Sequence, residues 1–198
     1  MGRKDGHTHR KSSDSFELNG RDLRENNYSI KENTDFFGWL EGKVNLPLFG
    51  CGIRFHVKGD DSVYAVRCAE FIEKITPENL REHTALYKCF EALAEYVAEL
   101  IEDNDFDLGN VVFDEDSSVE ELIKILSPTA LTFERDTYIV EEECPIAFSL
   151  KLCLSPVPDE VMEIALHGDV PVYVGEFRGV SPWNEKLLKK KWNYARDI

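Results

Sequence analysis

Between residues 51 and 58 apolar and polar side chains alternate. Ile53, Phe55 and Val57 fall on one face and Arg54, His56 and Lys58 on the other. A period of two residues predicts a half-buried strand. The stretch before it, F-F-G-W-L-E-G-K-V-N-L-P-L-F-G from Phe36, predicts an earlier strand closed by a turn at Pro47 and Gly50, so the pair should form a hairpin. After Gly59 the period lengthens. Ala65, Cys68, Phe71, Ile72 and Ile75 recur at helical spacing behind Asp61 or Ser62, either of which can cap. Thr76-Pro77 then predicts the start of a second helix, with a cap residue followed by proline in the first turn. Its apolar stripe runs from Leu80 and Thr84 through Tyr87, Phe90, Leu93, Ala94 and Val97 to Ile101. Its polar face shows Glu82, Lys88, Glu91, Glu95, Glu99 and Glu102.

An acidic loop, D-N-D-F-D-L-G-N-V-V-F-D-E-D, follows. Ser118 and Glu121 make a capping box for a short helix over V-E-E-L-I-K-I-L, ended by Ser127-Pro128. From Thr129 the pattern is β, with candidate strands A-L-T-F-E-R, Y-I-V-E-E, A-F-S-L-K-L-C-L, V-M-E-I-A-L-H and V-P-V-Y-V-G-E-F. Turns fall at Asp136-Thr137 and His167-Gly168-Asp169. The C-terminal W-N-E-K-L-L-K-K-K-W-N-Y predicts a short helix. These elements predict an α+β fold: an N-terminal β-hairpin, a helical middle, and C-terminal antiparallel strands in one sheet with helices packed on one face. A doubly wound parallel sheet would need helices between the later strands, where no room exists. Residues 1–34 are polar, with Phe16, Leu18, Leu23, Tyr28 and Ile30 too scattered to bury much. They predict a disordered tail before a single acidic domain over 35–198.

Charge sharpens this picture. The chain has 38 acidic and 23 basic residues and a net charge of −15. Residues 35–182 alone carry 30 acidic and 11 basic side chains, a net of −19, whereas the tail is near neutral. Nucleic acid is excluded as the natural partner, because phosphate binding needs a basic surface. A basic protein is the natural complement. No apolar run approaches the roughly 18 residues that cross a bilayer, and the N-terminal M-G-R-K-D-G lacks the apolar core of a secretory leader. Cys51, Cys68, Cys89, Cys144 and Cys153 are odd in number, have no Cys-x-x-Cys pair and mostly sit among apolar neighbours. They read as small hydrophobes in a reducing compartment, so the expected location is the cytoplasm.

No chemical signature stands out. Asp103, Asp105 and Asp107 occupy the first, third and fifth places of a calcium loop, but Leu108 stands where the sixth-place glycine belongs and Asp114 ends the loop without a glutamate. His56, His83 and His167 share no metal-ligand spacing. No phosphate loop, dinucleotide fingerprint or nucleophile elbow occurs, so no cofactor or metal is expected. A site assembled in space from His56, His167, Asp159 and Glu160 is the enzymatic alternative. The candidate partner-binding residues are Asp103, Asp105, Asp107, Asp114, Glu115 and Asp116, for their charge, and Trp183, because tryptophan is enriched among interface anchors.

The opening G-W-L-E-G-K-V-N-L-P-L-F-G (38–50), the acidic helical middle and the step E-E-L-I-K-I-L-S-P-T-A-L-T-F resemble a bacterial α+β domain family of unknown function. The resemblance covers most of residues 36–177. Relatives include small acidic proteins regarded as immunity partners in bacterial competition systems, so it implies a non-enzymatic binding protein that neutralises a basic toxin domain. One segment departs from the family pattern. Where members carry a Glu-His-Gly-type segment, this chain has S-P-V-P-D-E-V-M-E-I-A, keeping Asp159 and Glu160 but neither the histidine nor the glycine. The resemblance carries over no catalytic residue. A structural or regulatory adaptor remains the third alternative.

Overall fold

Seven strands form one sheet in which spatial order follows chain order. A computed structural model of the protein describes residues 28–104, 106, 108, 111–139, 144–155 and 157–198. The strands are β1 (Lys31–Glu32), β2 (Trp39–Leu46), β3 (Cys51–Lys58), β4 (Leu126–Glu134), β5 (Ala147–Leu154), β6 (Val157–His167) and β7 (Val170–Glu176). Every neighbouring pair is antiparallel except β3 and β4. A parallel pair cannot be joined by a tight turn and needs a crossover. Here the crossover holds the three α-helices of the described residues: α1 (Ser62–Glu73), α2 (Thr84–Asn104) and α3 (Val119–Ile125). The helical middle therefore covers one face, as the α+β reading expected.

The alternation in β3 does what the pattern predicted. Ile53, Phe55 and Val57 are buried beneath the helices, and Phe55 packs edge-on against Phe133 of β4 at 5.9 Å. In β5, Phe148, Leu150, Leu152 and Leu154 alternate onto the face beneath the helices and join the main core, while Lys151 on the other face is only half-buried. The hairpin closes through Pro47–Phe49 and Gly50, whose φ of 61° is the left-handed region that glycine enters without a Cβ penalty. Gly42 is a glycine for a different reason. It sits opposite Phe55, and a Cβ there would lie 2.7 Å from the Phe55 ring. Gly42→Ala should therefore lower stability by about 1–3 kcal/mol, the usual range for overpacking. A urea-unfolding midpoint checks this; no shift would mean the ring has space that its neighbours do not show.

Several local expectations need correction. Residues 28–34, read as tail, belong to the fold: Tyr28 and Ile30 are buried, and β1 pairs with β2. Residues 1–27 lie outside the described residues. The Thr76-Pro77 signal does not start a helix. Thr76 N–H donates to Asn79 Oδ1 (2.8 Å) and Asn79 Nδ2 donates to the Lys74 carbonyl (2.7 Å), which closes a turn, and α2 begins at Thr84. Ser127-Pro128 lies inside β4, where a bulge between Pro128 and Ala130 absorbs the proline. Of the strand expected at Y-I-V-E-E, Tyr138 is fully exposed in a turn and residues 140–143 lie outside the described residues. The C-terminal helix is two short 3-10 turns, Glu185–Lys189 and Tyr194–Asp197. The capping box of α3 is present in full, with Ser118 and Glu121 exchanging both hydrogen bonds.

Candidate functional site

The exposed side of α2 is acidic by spacing. Glu91, Glu95, Glu99 and Glu102 recur at three and four residues, which places them on one strip of the helix. The chain after α2 folds back so that Phe113 is buried against the helix and carries Asp114 and Glu115 to the same strip. The result is a groove of about 500 Å³ with Glu95, Glu99, Glu102, Asp114 and Glu115 on its walls and Ala98, Ile101 and Phe113 as its apolar floor. Asp114 shapes the loop locally: its Oδ1 accepts from the Ser117 hydroxyl (3.1 Å) and the Asp116 N–H (3.2 Å). Tyr194 donates its hydroxyl to Glu99, and burial, then this bond, pushes the phenol well above its ordinary range. None of the ion pairs among the described residues involves a groove carboxylate. Among the described residues the groove is thus a field of like charge.

The residues singled out from sequence are placed as follows. Asp114 and Glu115 line the groove, Asp103 sits in the last turn of α2 one residue after the groove's Glu102, and Asp116 is exposed on the same loop as Asp114. Asp105 and Asp107 lie outside the described residues. Trp183 is half-buried: its Nε1 donates to the Glu134 carbonyl (2.7 Å) and its ring stacks on His167 at 4.6 Å. It pins the C-terminal segment to the sheet, which leaves its indole N–H no donor for a partner. Sequence spacing already held Glu95, Glu99 and Glu102, but the return of residues 113–115 to that helix face had no local signal.

The residues of the enzymatic alternative do not converge. His56 lies on β3, His167 at the end of β6 beside Glu185 (3.1 Å), and Asp159 and Glu160 at the start of β6. No described cavity is lined by any two of them. No cluster of three or more metal-ligating side chains occurs among the described residues, and none of their helices is long and apolar enough to cross a membrane. All five cysteines are free thiols. Comparison of the chain with protein-family models, curated proteins and solved structures returns no match.

His56 has a structural task. Asn33 Nδ2 lies 3.0 Å from its Nδ1 and 3.1 Å from Glu41 Oε2, while Asn33 Oδ1 accepts from the N–H groups of Asp35 and Phe36, both at 2.8 Å. Asn33 thereby fastens residues 28–36 to the sheet, and it requires an unprotonated Nδ1 on His56. Burial lowers the His56 pKa; Arg54 acts with it, and Glu41 and Asp35 against it. A depressed folded-state value means the neutral ring contributes stability that is present above the unfolded value of roughly 6.5 and lost as pH falls through the folded one. Urea midpoints measured from pH 7.5 to 5 should therefore fall, and His56→Gln should flatten the part of the fall set by this ring. An unchanged profile in the variant would remove His56 as the titrating group.

Proposed function

We propose that the chain is a non-enzymatic protein-binding domain whose partner is a basic protein held along the acidic groove between α2 and residues 113–115. The observation that carries this reading is the convergence of five carboxylates on one concave surface, none of them in an ion pair among the described residues. Like charges held this close repel one another, so a basic side chain entering the groove relieves that repulsion as well as forming its own contacts. The net of −19 over residues 35–182 extends the attraction outward and speeds encounter. The family resemblance of residues 38–50 and 120–133 supports the narrower form of the proposal, in which the partner is a basic toxin domain and binding neutralises it. A cytoplasmic location follows from the same reading, since the reduced thiols suit it.

The test is capture from the native host's lysate with wild type and with the variant Glu95→Gln/Glu102→Gln/Glu115→Gln, each at low and high salt. Glu99 is left intact because Tyr194 uses it. Wild type should retain a basic protein that salt releases, and the variant should associate with the purified partner about tenfold or more slowly, with a shallower salt dependence. Capture of the same proteins by both forms at both salts would sink the reading.

A further inference from the structure

The face of the sheet away from the helices holds a second concavity, and its chemistry is unlike that of the acidic groove. Its floor is made of small side chains from the central strands. Thr132 pairs with Ser149, and Ala130 with Lys151. Bulk stands only at the rims. On one side Phe36 stacks on Trp39 at 4.9 Å, and on the other lie Phe177, Val180 and Pro182. Small residues between large ones leave a trough of about 540 Å³, within the usual range for small-molecule sites.

Four charged side chains reach this trough, and three are already committed. Lys58 Nζ pairs with Glu134 Oε2 at 2.5 Å, and the other Glu134 oxygen accepts from the Ser181 hydroxyl at 2.8 Å. Glu163, 1 % exposed, accepts from the Ser149 hydroxyl on one oxygen and from the backbone N–H groups of Arg178, Gly179 and Val180 on the other. Lys151 is the exception. Its ammonium lies 4.3 Å from the centre of the Phe177 ring, and among the described residues it has no ion pair and no hydrogen bond. An ammonium carries three donors, and a half-buried one facing a trough is an unmet demand for an acceptor.

We propose that this trough binds a small monocarboxylic acid with an aromatic or aliphatic body, its carboxylate on Lys151 and its body lying across Ala130 and Thr132 towards Trp39. Lys151 is the one cation of this lining without an ion pair among the described residues, and one such cation matches a single negative charge. Glu163 is the cross-strand partner of Lys151 and Glu134 shares the lining, so every added negative charge meets repulsion and a dianion such as a phosphate monoester meets more of it than a monocarboxylate. The apolar body follows from the aromatic rims, and the ester of such an acid would lose the contact that selects it. The site lies across the sheet from the acidic groove, so the two can be tested separately.

Benzoate titrated into the full chain, followed by the amide and indole resonances in NMR spectra, tests this directly, with methyl benzoate and phenyl phosphate as comparators. Saturable shifts are expected at the Trp39 indole, Lys151 and residues 177–182, absent with methyl benzoate and weaker with phenyl phosphate. Lys151→Gln should weaken benzoate binding at least about tenfold, the loss of a charge-assisted hydrogen bond. Because Lys151 also packs on Phe177, Phe177→Leu is the control that keeps the ammonium. It should hold benzoate within about threefold of wild type, a packing-sized change of one rim contact. Absence of saturable shifts at these residues, equal shifts with the ester, tighter binding of phenyl phosphate, or undiminished benzoate binding by Lys151→Gln would each overturn the assignment.

Discussion

Glu163→Ala should cost roughly 3–5 kcal/mol of stability, a large share of what a domain of this size possesses. The reason is the number of groups that depend on one carboxyl. Truncation leaves the Ser149 hydroxyl and the N–H groups of Arg178, Gly179 and Val180 without their acceptor, in a place where Glu163 is 1 % exposed. Each unsatisfied buried group carries a penalty of about 1–3 kcal/mol, reduced where water can follow. Residues 178–180 are near the surface, so the three amides should recover part of theirs. Glu163→Gln separates charge from geometry. Its carbonyl can still accept from the three amides, and its amide can donate to Ser149, whose hydroxyl rotates to accept. The glutamine variant should therefore retain much of the stability that alanine loses. Urea unfolding gives the energies. Hydrogen exchange gives the location, since amides 178–180 should lose protection in Glu163→Ala before the strands do. Equal stability of wild type and Glu163→Ala would mean that the C-terminal segment is held elsewhere, by Trp183 and Ser181 on Glu134.

That network shows where sequence reading stops. β3 was legible because one face meets the core and the other meets solvent, so a period of two survives in the residues themselves. The capping box of α3 was legible because both of its bonds are made within four residues. Thr76-Pro77 misled for an equally local reason. The same side-chain oxygens that cap a helix can close a turn, and Asn79 gave them a partner three residues away. Tyr28 is buried by a contact no window could hold, its hydroxyl meeting Glu73 at 2.6 Å. The candidate sites divide along the same line. The helical carboxylates of the acidic groove can be counted from spacing, but the fold-back of Asp114 and Glu115 cannot. Lys151 and Glu163 are charges inside otherwise apolar strands, S-L-K-L-C and V-M-E-I-A, and they adjoin only through the β5–β6 register. In a single sequence each reads as an exposed position on an alternating strand.

Asn193 is the strongest case of a role invisible to pattern, and its replacement should have the second large effect. β7 is the outer strand of the sheet, so one row of its backbone groups has no neighbouring strand. The Asn193 side chain, fully buried, takes that place: its Oδ1 accepts from Val174 N–H (3.0 Å) and its Nδ2 donates to the Val172 carbonyl (2.8 Å). A carboxamide presents an acceptor and a donor side by side, as a peptide group does, which is why asparagine fits where a strand would. The same Oδ1 also accepts from Ala195 N–H (3.0 Å), starting the last 3-10 turn and seating Tyr194 against α2. Asn193→Ala removes all three bonds and should lower stability by roughly 3 kcal/mol. Asn193→Asp is nearly the same size but offers no donor to Val172, so it should be no better than alanine at neutral pH. Both variants uncover part of an edge, and an uncovered edge is a template for another chain. Size-exclusion chromatography should therefore show concentration-dependent association for both variants where wild type shows none of comparable extent. If either variant keeps wild-type stability and elution, the edge of β7 is protected by packing of Trp192 on Tyr173 and not by the Asn193 amide.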